Sequence, residues 1–346
     1  MELCENGDVE EFIRNYPTKE LPLIDCQNLL FQMAFALHVA GDRFGLKHYD
    51  VKLLNFLLKS AKDPNIPDDK HPHVVLRYGV GSHVFRLRMD PSMANVSKLA
   101  DFGTSVMRTD TDGQPISLGQ FTTLENTPAD FLILGNAAVQ GYGHDSFGLG
   151  LCMLHLFTGH APYEELLHEV VCPDNLRAKL RRIWKHKSHD VIHSVMLDND
   201  DNGVEIEDQT LCDTLYRYLV LFGIPEADKQ FDIKKNGKVW RAINSTLLPP
   251  KASRSKPCPD TDVFRRDRRK YSLAEGINKR IANARNRLQQ MDGAMDLLLS
   301  LVSFDPKTRA TPLDVINSRF MANLIETETA IYCDDDIVKS YTAYKI

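Results

Sequence analysis

The sequence predicts a mainly α-helical protein in which short β-hairpins surround two polar motifs. In residues 26–40, apolar side chains recur at the three-to-four spacing of a half-buried helix: Leu29, Leu30, Met33, Ala34 and Leu37. Residues 73–89 form two alternating runs around Gly79–Ser82, which is typical of a hairpin. From about residue 145 the pattern is helical, and the last clear helices are predicted at 291–302 and 311–321.

The elements follow one another along the chain in a simple order. Gly41 and Gly45 are expected to end the first long helix. The run "NFLLK" (55–59) predicts a short strand, 60–72 reads as loop, and "VSKLADFG" (96–103) reads as a strand that ends at a glycine. Residues 188–290 are more polar and carry charge runs, so we interpret them as a large insertion. The predicted divisions are a core at 1–187 with a smaller insertion at about 60–92, the insertion at 188–290, the last helices at 291–325 and a tail at 326–346.

Composition narrows the class of protein. The 346 residues are 43% apolar and 26% charged, as in globular proteins, and the net charge of −5 favours neither nucleic acid nor an acidic membrane as a partner. The longest apolar stretch, 147–157, is too short to span a bilayer. Seven scattered cysteines without a CxxC pair favour free thiols in a reducing compartment. We therefore expect a cytoplasmic protein, with the nucleus as the alternative.

Two polar motifs carry the chemistry, "HYDVKLLN" at 48–55 and "DFG" at 101–103. Phosphoryl transfer from ATP needs an aligned hydroxyl, metal ions on the phosphates and positive charge near the moving group. Asp50 could accept the hydroxyl proton, and Lys52 lies two residues further on, facing the same side of an extended loop. Asn55 and Asp101 offer the oxygen ligands that Mg²⁺ prefers, and Gly103 allows a sharp turn after Asp101.

These motifs resemble those of the eukaryotic protein kinase family. The first matches the H-R-D-x-x-x-x-N catalytic loop of that family and the second matches its metal-binding loop. Further resemblances follow in order: "TLENTPAD" (123–130), "HDSFGLGLCMLHLFTGHAPYEE" (144–165) and "DPKTRAT" (305–311). The resemblance implies the α-rich C-terminal lobe of a protein kinase.

The resemblance also assigns roles to single residues. Asp50, Lys52 and Asn55 would be catalytic, with Asn55 and Asp101 as metal ligands. The structural residues would be His48, Gly103, Asp130, Asp145 and Arg309. Arg309 would pair with Asp130 and clamp the segment before it onto the helical core.

The N-terminal "MELCENGD" resembles the hinge that joins the two kinase lobes. The main chain of Glu2 and Cys4 would then face the adenine of ATP, Asp8 would lie near the ribose, and Leu57 would form the floor under the adenine; Asp101 would complete the ATP site through the metal. We expect the chain to be a fragment that begins at the hinge, without the smaller lobe and its Gly-rich loop.

The sequence departs from the family pattern in two places. Tyr49 stands where the family has an arginine that docks a phosphate, which argues against activation by phosphorylation. The 45 residues between Asn55 and Asp101 replace a short turn, and the hairpin at 73–89 is expected to lie on the surface there. Lys52 indicates Ser/Thr substrates, and Thr123 suits a role in positioning the substrate.

The predicted function is ATP- and Mg²⁺-dependent phosphorylation of serine or threonine in a protein substrate. One alternative is a catalytically inactive pseudokinase or docking module that binds a protein partner through 188–290. Another is a small-molecule kinase of related fold. No membrane or nucleic-acid partner is expected.

Three weaker patterns have ordinary explanations. "DNDDNGVEIEDQ" (198–209) resembles a calcium loop, but its twelfth position is Gln209 instead of the bidentate glutamate, so a solvated acidic loop is expected. "RRDRRK" (265–270) is interpreted as a solvated face, with docking or nuclear import as the alternative. "LRAKLRRIWKH" (176–186) predicts a basic amphipathic helix.

Overall fold

The computed structural model describes residues 2–67, 70, 73–107, 126–130, 141–172, 174, 177, 203–222, 275–326 and 339–343. Within these residues the fold is mainly helical, with one two-stranded and one three-stranded sheet. The buried apolar side chains of both sheets and of the helices form one continuous core.

The central element is helix α2 (Leu23–Phe44), which follows the short helix α1 (Val9–Asn15). It ends at Gly45, which adopts a left-handed conformation with φ of 62° and donates its N–H to the carbonyl of Gly41. Gly41 therefore lies within the helix, and the expectation that it breaks the helix was wrong. By length and hydropathy α2 could cross a membrane, but 67% of the apolar window is buried inside the fold, where the core accounts for its apolar character.

A two-stranded ribbon connects the two polar motifs. Strand β1 (Phe56–Ser60) pairs antiparallel with β4 (Asn95–Leu99), and Phe56 lies opposite Leu99. Gln32 of α2 fixes β4, because its Oε1 accepts from the Ser97 N–H at 2.9 Å and its Nε2 donates to the Asn95 carbonyl at 3.2 Å. The ribbon thus brings the end of the first motif beside the start of the second.

The segment between these strands forms the predicted hairpin, with β2 (Val74–Val80) antiparallel to β3 (His83–Met89). The expectation that this hairpin lies on the surface was wrong. Leu76, Phe85 and Leu87 are buried, and the Phe85 ring lies 5.0 Å from that of Phe31 on α2. An isolated hairpin is marginal in water, so its alternating apolar face packs on the helix.

A C-terminal strand completes the second sheet. Strand β5 (Lys339–Ala343) pairs parallel with β2, which gives the order β3-β2-β5. On the other side of the hairpin, Ile325 forms an isolated bridge with Phe85. The C-terminal part of the chain therefore contacts both edges of the hairpin.

The remaining helices pack around a buried central helix, α3 (Gly143–Thr158), in which every residue from His144 onward is buried. The others are α4 (Gly203–Phe222), α5 (Glu275–Gln289), α6 (Ala294–Leu301) and α7 (Pro312–Ile316), followed by a 3₁₀ helix at Arg319–Leu324. Helix α3 contacts α2, α5 and α6. The predicted helices at 291–302 and 311–321 correspond to α6 and to α7 with its 3₁₀ extension.

Two helices of the predicted insertion belong to the common core. Leu215 and Leu221 of α4 and Ile281 of α5 are buried, and the Tyr218 hydroxyl donates to the Val302 carbonyl at 3.0 Å. Helix α4 begins at Gly203, so the second half of the segment with calcium-loop character is helical. Its first half at 198–202, the basic run at 265–270 and nearly all of 176–186 lie outside the described residues.

Candidate functional site

The first polar motif forms a loop between α2 and β1. The buried carboxylate of Asp145 fixes the position of this loop. The Asp145 carboxylate, in the first turn of α3, accepts from the backbone N–H of His48 and of Tyr49, both at 2.8 Å. Burial raises the pKa of Asp145, while the two backbone hydrogen bonds act in the opposite direction. One carboxylate thus orients two successive residues of the loop.

The loop approaches α3 closely at Gly148. A Cβ built there would lie 2.7 Å from the Val51 carbonyl oxygen and 2.8 Å from the Val51 Cβ. Only a glycine fits at this distance, so the helix packs directly on the loop backbone. Sequence reasoning missed this residue; its signal was a glycine inside an apolar helical pattern.

The loop brings Asp50, Lys52 and Asn55 together. The Lys52 Nζ lies 2.8 Å from the Asp50 Oδ2, and the Asn55 Nδ2 donates to the Asp50 carbonyl at 2.7 Å and to its Oδ2 at 3.1 Å. Asp50 and Asn55 are buried, whereas the Lys52 side chain is 23% exposed. The cluster holds one carboxylate in a fixed direction beside a partly exposed cation.

The second motif lies beside the cluster because of the strand register. The Ala100 N–H donates to the Asn55 carbonyl at 2.9 Å, which places Asp101 immediately after the residue opposite Asn55. The His48 ring, through Nε2, contacts the Ala100 carbonyl at 2.9 Å, and the Thr104 hydroxyl donates to the His48 carbonyl at 2.9 Å. These bonds connect the two motifs on both sides of Asp101.

Asp101 itself has an unusual backbone. Its φ is 58°, in the left-handed region where non-glycine residues are uncommon, and its side chain is exposed. Its Oδ1 accepts only a long hydrogen bond, 3.4 Å, from the Gly103 N–H. Tyr49, at φ of 64°, is the second strained residue of the site, and its buried ring packs edge-on against His144.

The residues predicted to hold Mg²⁺ supply a suitable but incomplete set of ligands. Asn55 uses its amide nitrogen for the bonds to Asp50, which leaves the amide oxygen for a cation, and Asp101 adds one exposed carboxylate. Mg²⁺ is commonly bound by one or two carboxylates together with phosphates and waters, so the pair fits this ion. Among the described residues, no group of three or more His, Cys, Asp or Glu side chains could hold a metal by itself.

The ion pair predicted between Asp130 and Arg309 is present, and both side chains are only 1% exposed. The guanidinium also donates to the carbonyls of Ser303 at 2.7 Å, Gly143 at 3.1 Å and Phe304 at 3.2 Å. A buried pair requires such additional bonds to offset the loss of hydration. The ion pair and these hydrogen bonds connect residues 126–130 with the start of α3 and the end of α6.

The N-terminal residues pair with β1. The Asn6 N–H donates to the Leu58 carbonyl at 3.1 Å and the Leu58 N–H donates to the Gly7 carbonyl at 2.8 Å, while Asp8 forms a bridge with Leu57. The Asp8 side chain caps α1 by accepting from the Glu11 N–H at 2.8 Å. Asp8 and Leu57, both assigned to an ATP site from the sequence, are therefore neighbours.

Glu2 and Cys4 lie N-terminal to the residues that pair with β1. The Glu2 carboxylate lies 2.6 Å from the Lys59 Nζ and 3.6 Å from that of Lys98, and the hydrogen bond from Lys59 lowers its pKa. Cys4 is a partly exposed free thiol. Thr123, the remaining predicted site residue, lies outside the described residues.

A cavity of about 260 Å³ opens next to Lys52, between α1, the first motif and the segment after α3. Its polar lining includes Glu10, Glu164 and the buried side chains of His155 and Tyr163. Burial lowers the pKa of His155 to about 4, so its ring is neutral at pH 7. Sequence reasoning assigned no role to these residues because they are brought together only by the fold.

Comparisons with known proteins give the following results. No protein-family model matches this chain. No curated protein matches it. A solved chain in the structure of the CAK complex from Chaetomium thermophilum bound to ATP-γ-S is similar, with a TM-score of 0.47 and 17% identity. That similarity covers 92% of this chain and 65% of the solved chain, so this chain spans less than two thirds of its length.

Proposed function

We propose that this chain forms the larger lobe of an ATP- and Mg²⁺-dependent protein serine/threonine kinase. The order of its motifs supports the proposal, since "HYDVKLLN" and "DFG" resemble the catalytic and metal loops of that family. The observation that carries it is the cluster of Asp50, Lys52 and Asn55, with the Lys52 Nζ at 2.8 Å and the Asn55 Nδ2 at 3.1 Å from the same carboxylate oxygen.

Asp50 would act as the base toward the substrate hydroxyl. Asn55 donates to Asp50 and limits its rotation, so the carboxylate is oriented before the substrate arrives. A carboxylate in this position aligns the hydroxyl and accepts its proton as the new O–P bond forms. Lys52 would contribute positive charge next to the transferred phosphoryl group.

The metal site would consist of Asn55 and Asp101 on adjacent ends of the β1–β4 ribbon. Mg²⁺ with ATP supplies charge neutralisation on the phosphates when bound. Asp101 combines a left-handed backbone with an exposed carboxylate, and the Gly103 N–H donates to its Oδ1 at 3.4 Å. Glu2, Cys4, Asp8 and Leu57 would contact the nucleoside.

A protein substrate is supported by the cavity beside Lys52. Lys52, whose Nζ lies 2.8 Å from the proposed base, lines this cavity, and the walls come from α1, the first motif and the segment after α3. A surface that extends beyond the reacting hydroxyl suits a polypeptide better than a small metabolite. Serine or threonine as acceptor rests on Lys52, through the resemblance to Ser/Thr kinases.

The decisive experiment is a phosphotransfer assay on the native protein purified from its own cells, together with its intact mass. With Mg·ATP and a mixed protein substrate, Asp50→Asn is expected to reduce phosphate transfer by about 100-fold or more, as for loss of a general base. Asp42→Asn is the matched control, because Asp42 is exposed in the last turn of α2 and lies outside the two motifs. Its activity should equal that of the native protein.

Two results would contradict the proposal. Absence of Mg·ATP binding, together with no effect of Asp50→Asn on any activity, would favour the inactive docking module. Transfer to a small molecule but not to protein would favour the small-molecule kinase.

A further inference from the structure

A second cavity lies at the opposite end of α2 from the 48–55 loop. Its volume is about 550 Å³, and it is formed by the first turn of α2, the end of β3 and residues 323–326. Helix α2 has 22 residues, so about 33 Å separates its two ends. The cavity is therefore distinct from the predicted phosphotransfer site, and its size is in the range of small-molecule sites.

Asp25 supplies a buried carboxylate to this cavity. The residue is 6% exposed, and among the described residues its carboxylate has neither a hydrogen bond nor an ion pair. Burial, and secondly the charge of Asp90, raise the pKa of Asp25 to about 6. At pH 7 this carboxylate is mostly charged, and within the described part of the chain no cation offsets that charge.

Arg86 supplies the complementary unpaired group. Its Nε is buried and has no hydrogen-bond partner, although the guanidinium lines the same cavity. Within the part of the chain that the structure describes, Arg86 and Asp25 form no ion pair with each other. Two opposite charges thus face one cavity without neutralising each other.

The other acids at the cavity already have partners. Glu326 binds Arg77, the residue opposite Arg86 in the hairpin, at 3.0 Å. Asp90 accepts from the N–H and the hydroxyl of Ser92 at 2.9 and 2.6 Å. A ligand would therefore find its unsatisfied charged contacts at Asp25 and Arg86.

The remaining lining combines apolar and basic side chains. Ile24, Met89, Leu324 and Ile325 provide the apolar surface, whereas Arg88 adds positive charge and His73 adds a polar ring. A ligand that bridges the two unpaired groups must carry a cation and an anion, and it must have an apolar part. An α-amino acid with an aliphatic or aromatic side chain has these three features.

We propose that this cavity binds a free apolar α-amino acid, with its ammonium group on Asp25, its carboxylate on Arg86 and its side chain against Met89 and Leu324. Each charge of the ligand would lie against a cavity side chain of opposite charge, and charge-assisted hydrogen bonds of this kind are the stronger ones in proteins. The proposal does not depend on the phosphotransfer function.

Titration calorimetry on the whole chain at pH 7.5 tests the proposal, with L-leucine, L-methionine and L-phenylalanine as probes. Saturable binding of at least one probe is expected at millimolar concentration. L-leucinamide lacks the carboxylate and N-acetyl-L-leucine lacks the ammonium group, so each should bind about ten-fold more weakly or not at all, a loss of about 1.4 kcal/mol or more.

Variants separate the two contacts. Asp25→Asn and Arg86→Gln should each weaken binding by about ten-fold or more. Asp42→Asn on the same helix and Arg285→Gln on α5 lie outside the cavity lining and should leave binding unchanged. Circular dichroism verifies that each variant is folded.

Three results would overturn the proposal: no saturable binding of any probe to the folded native chain, equal binding of leucine, its amide and its acetyl derivative, or unchanged binding in both cavity variants. The comparison of ligands needs no mutation, so it decides the question even if a variant does not fold.

Discussion

At the scale of single residues, buried charges determine where the backbone of the candidate site lies. Asp145 binds two consecutive amides of the 48–55 loop, and Arg309 binds Asp130 together with three carbonyls. In both cases the charged side chain has partners on more than one side, which is what makes burial of a charge tolerable. Asp25 differs from these residues, since it is buried and no partner among the residues that the structure describes offsets its burial.

Replacing Asp25 should therefore stabilise the unliganded protein in a pH-dependent way. Its folded pKa, about 6, lies above the ordinary value of 3.8, so the native protein loses stability as the pH rises from about 4 through 6. Asp25→Asn avoids this loss and should be more stable by about 1 to 2 kcal/mol at pH 7.5, a figure reduced for access of cavity water to the carboxylate.

Urea unfolding at pH 4.0 and 7.5 measures this difference. The two proteins should have nearly equal free energies of unfolding at pH 4.0. The titratable and charged groups that line the cavity with Asp25 are His73, Arg86, Arg88, Asp90 and Glu326. Asp42→Asn controls for a change of charge on the same helix. A variant that is less stable than the native protein at pH 7.5 would show that Asp25 is satisfied in the folded state.

At the scale of elements, close packing of α3 on the 48–55 loop connects the core with the chemistry. Gly148 allows contact with Val51, and Gly150 allows contact with Val302, where a Cβ would lie 2.6 Å from the Val302 Cγ1. Helix α3 therefore contacts both the polar loop and the end of α6 through positions without side chains. A glycine costs helix stability, so its use here reflects packing.

Gly148→Ala should destabilise the fold and displace the loop. The new methyl group would meet backbone and a β-branched side chain, neither of which can move freely, so we expect a cost of about 1 to 3 kcal/mol. The same change at Gly276, where the nearest atom to a Cβ is the end of the Arg280 side chain at 3.9 Å, should stabilise helix α5 by about 0.5 to 1 kcal/mol.

Thermal unfolding of both variants tests this pair. Equal melting temperatures for Gly148→Ala and the native protein would mean that the gap between Gly148 and Val51 is wide enough for a methyl group. The Gly276 variant controls for the general effect of alanine in a helix.

At the scale of the whole molecule, the C-terminal segment joins distant parts of the chain. Strand β5 pairs with β2, and Ile325 bridges to Phe85 on the other edge of the hairpin. The hairpin is thus bounded by C-terminal residues at both edges and packs on α2 with one face. Without β5, strand β2 would become an edge strand and would present unpaired backbone N–H and C=O groups.

Deletion of residues 338–346 should expose this edge of β2. Amide hydrogens of Val74–Val80 that face β5 should exchange faster, whereas those that face β3 should keep their protection, because the β2–β3 ladder remains. Hydrogen exchange measured by mass spectrometry compares the two chains, and strand β1 is the internal control. Unchanged exchange throughout β2 would contradict the pairing with β5.

Much of the local structure could be predicted from the sequence, since it depends on short-range patterns. The spacing of Leu29, Met33 and Leu37 indicated α2, the alternation in 73–89 indicated the hairpin, and "VSKL" indicated β4. The motif residues Asp50, Lys52 and Asn55 were found for the same reason, because all three lie within one short loop. The hairpin's burial could not be predicted, since an alternating strand does not reveal which element covers it.

The sequence by itself indicated α2, α3, α6, α7, the strands β1 to β4 and the two polar motifs, and the resemblance to a family indicated the pair Asp130 and Arg309. Only the tertiary structure decided that the hairpin is part of the core, that Gly148 supports the loop, and that Asp25 and Arg86 share a cavity. The physical reason is distance along the chain. Periodicity and motifs reflect neighbours within a few residues, whereas a cavity is formed by groups whose approach depends on the packing of the whole core.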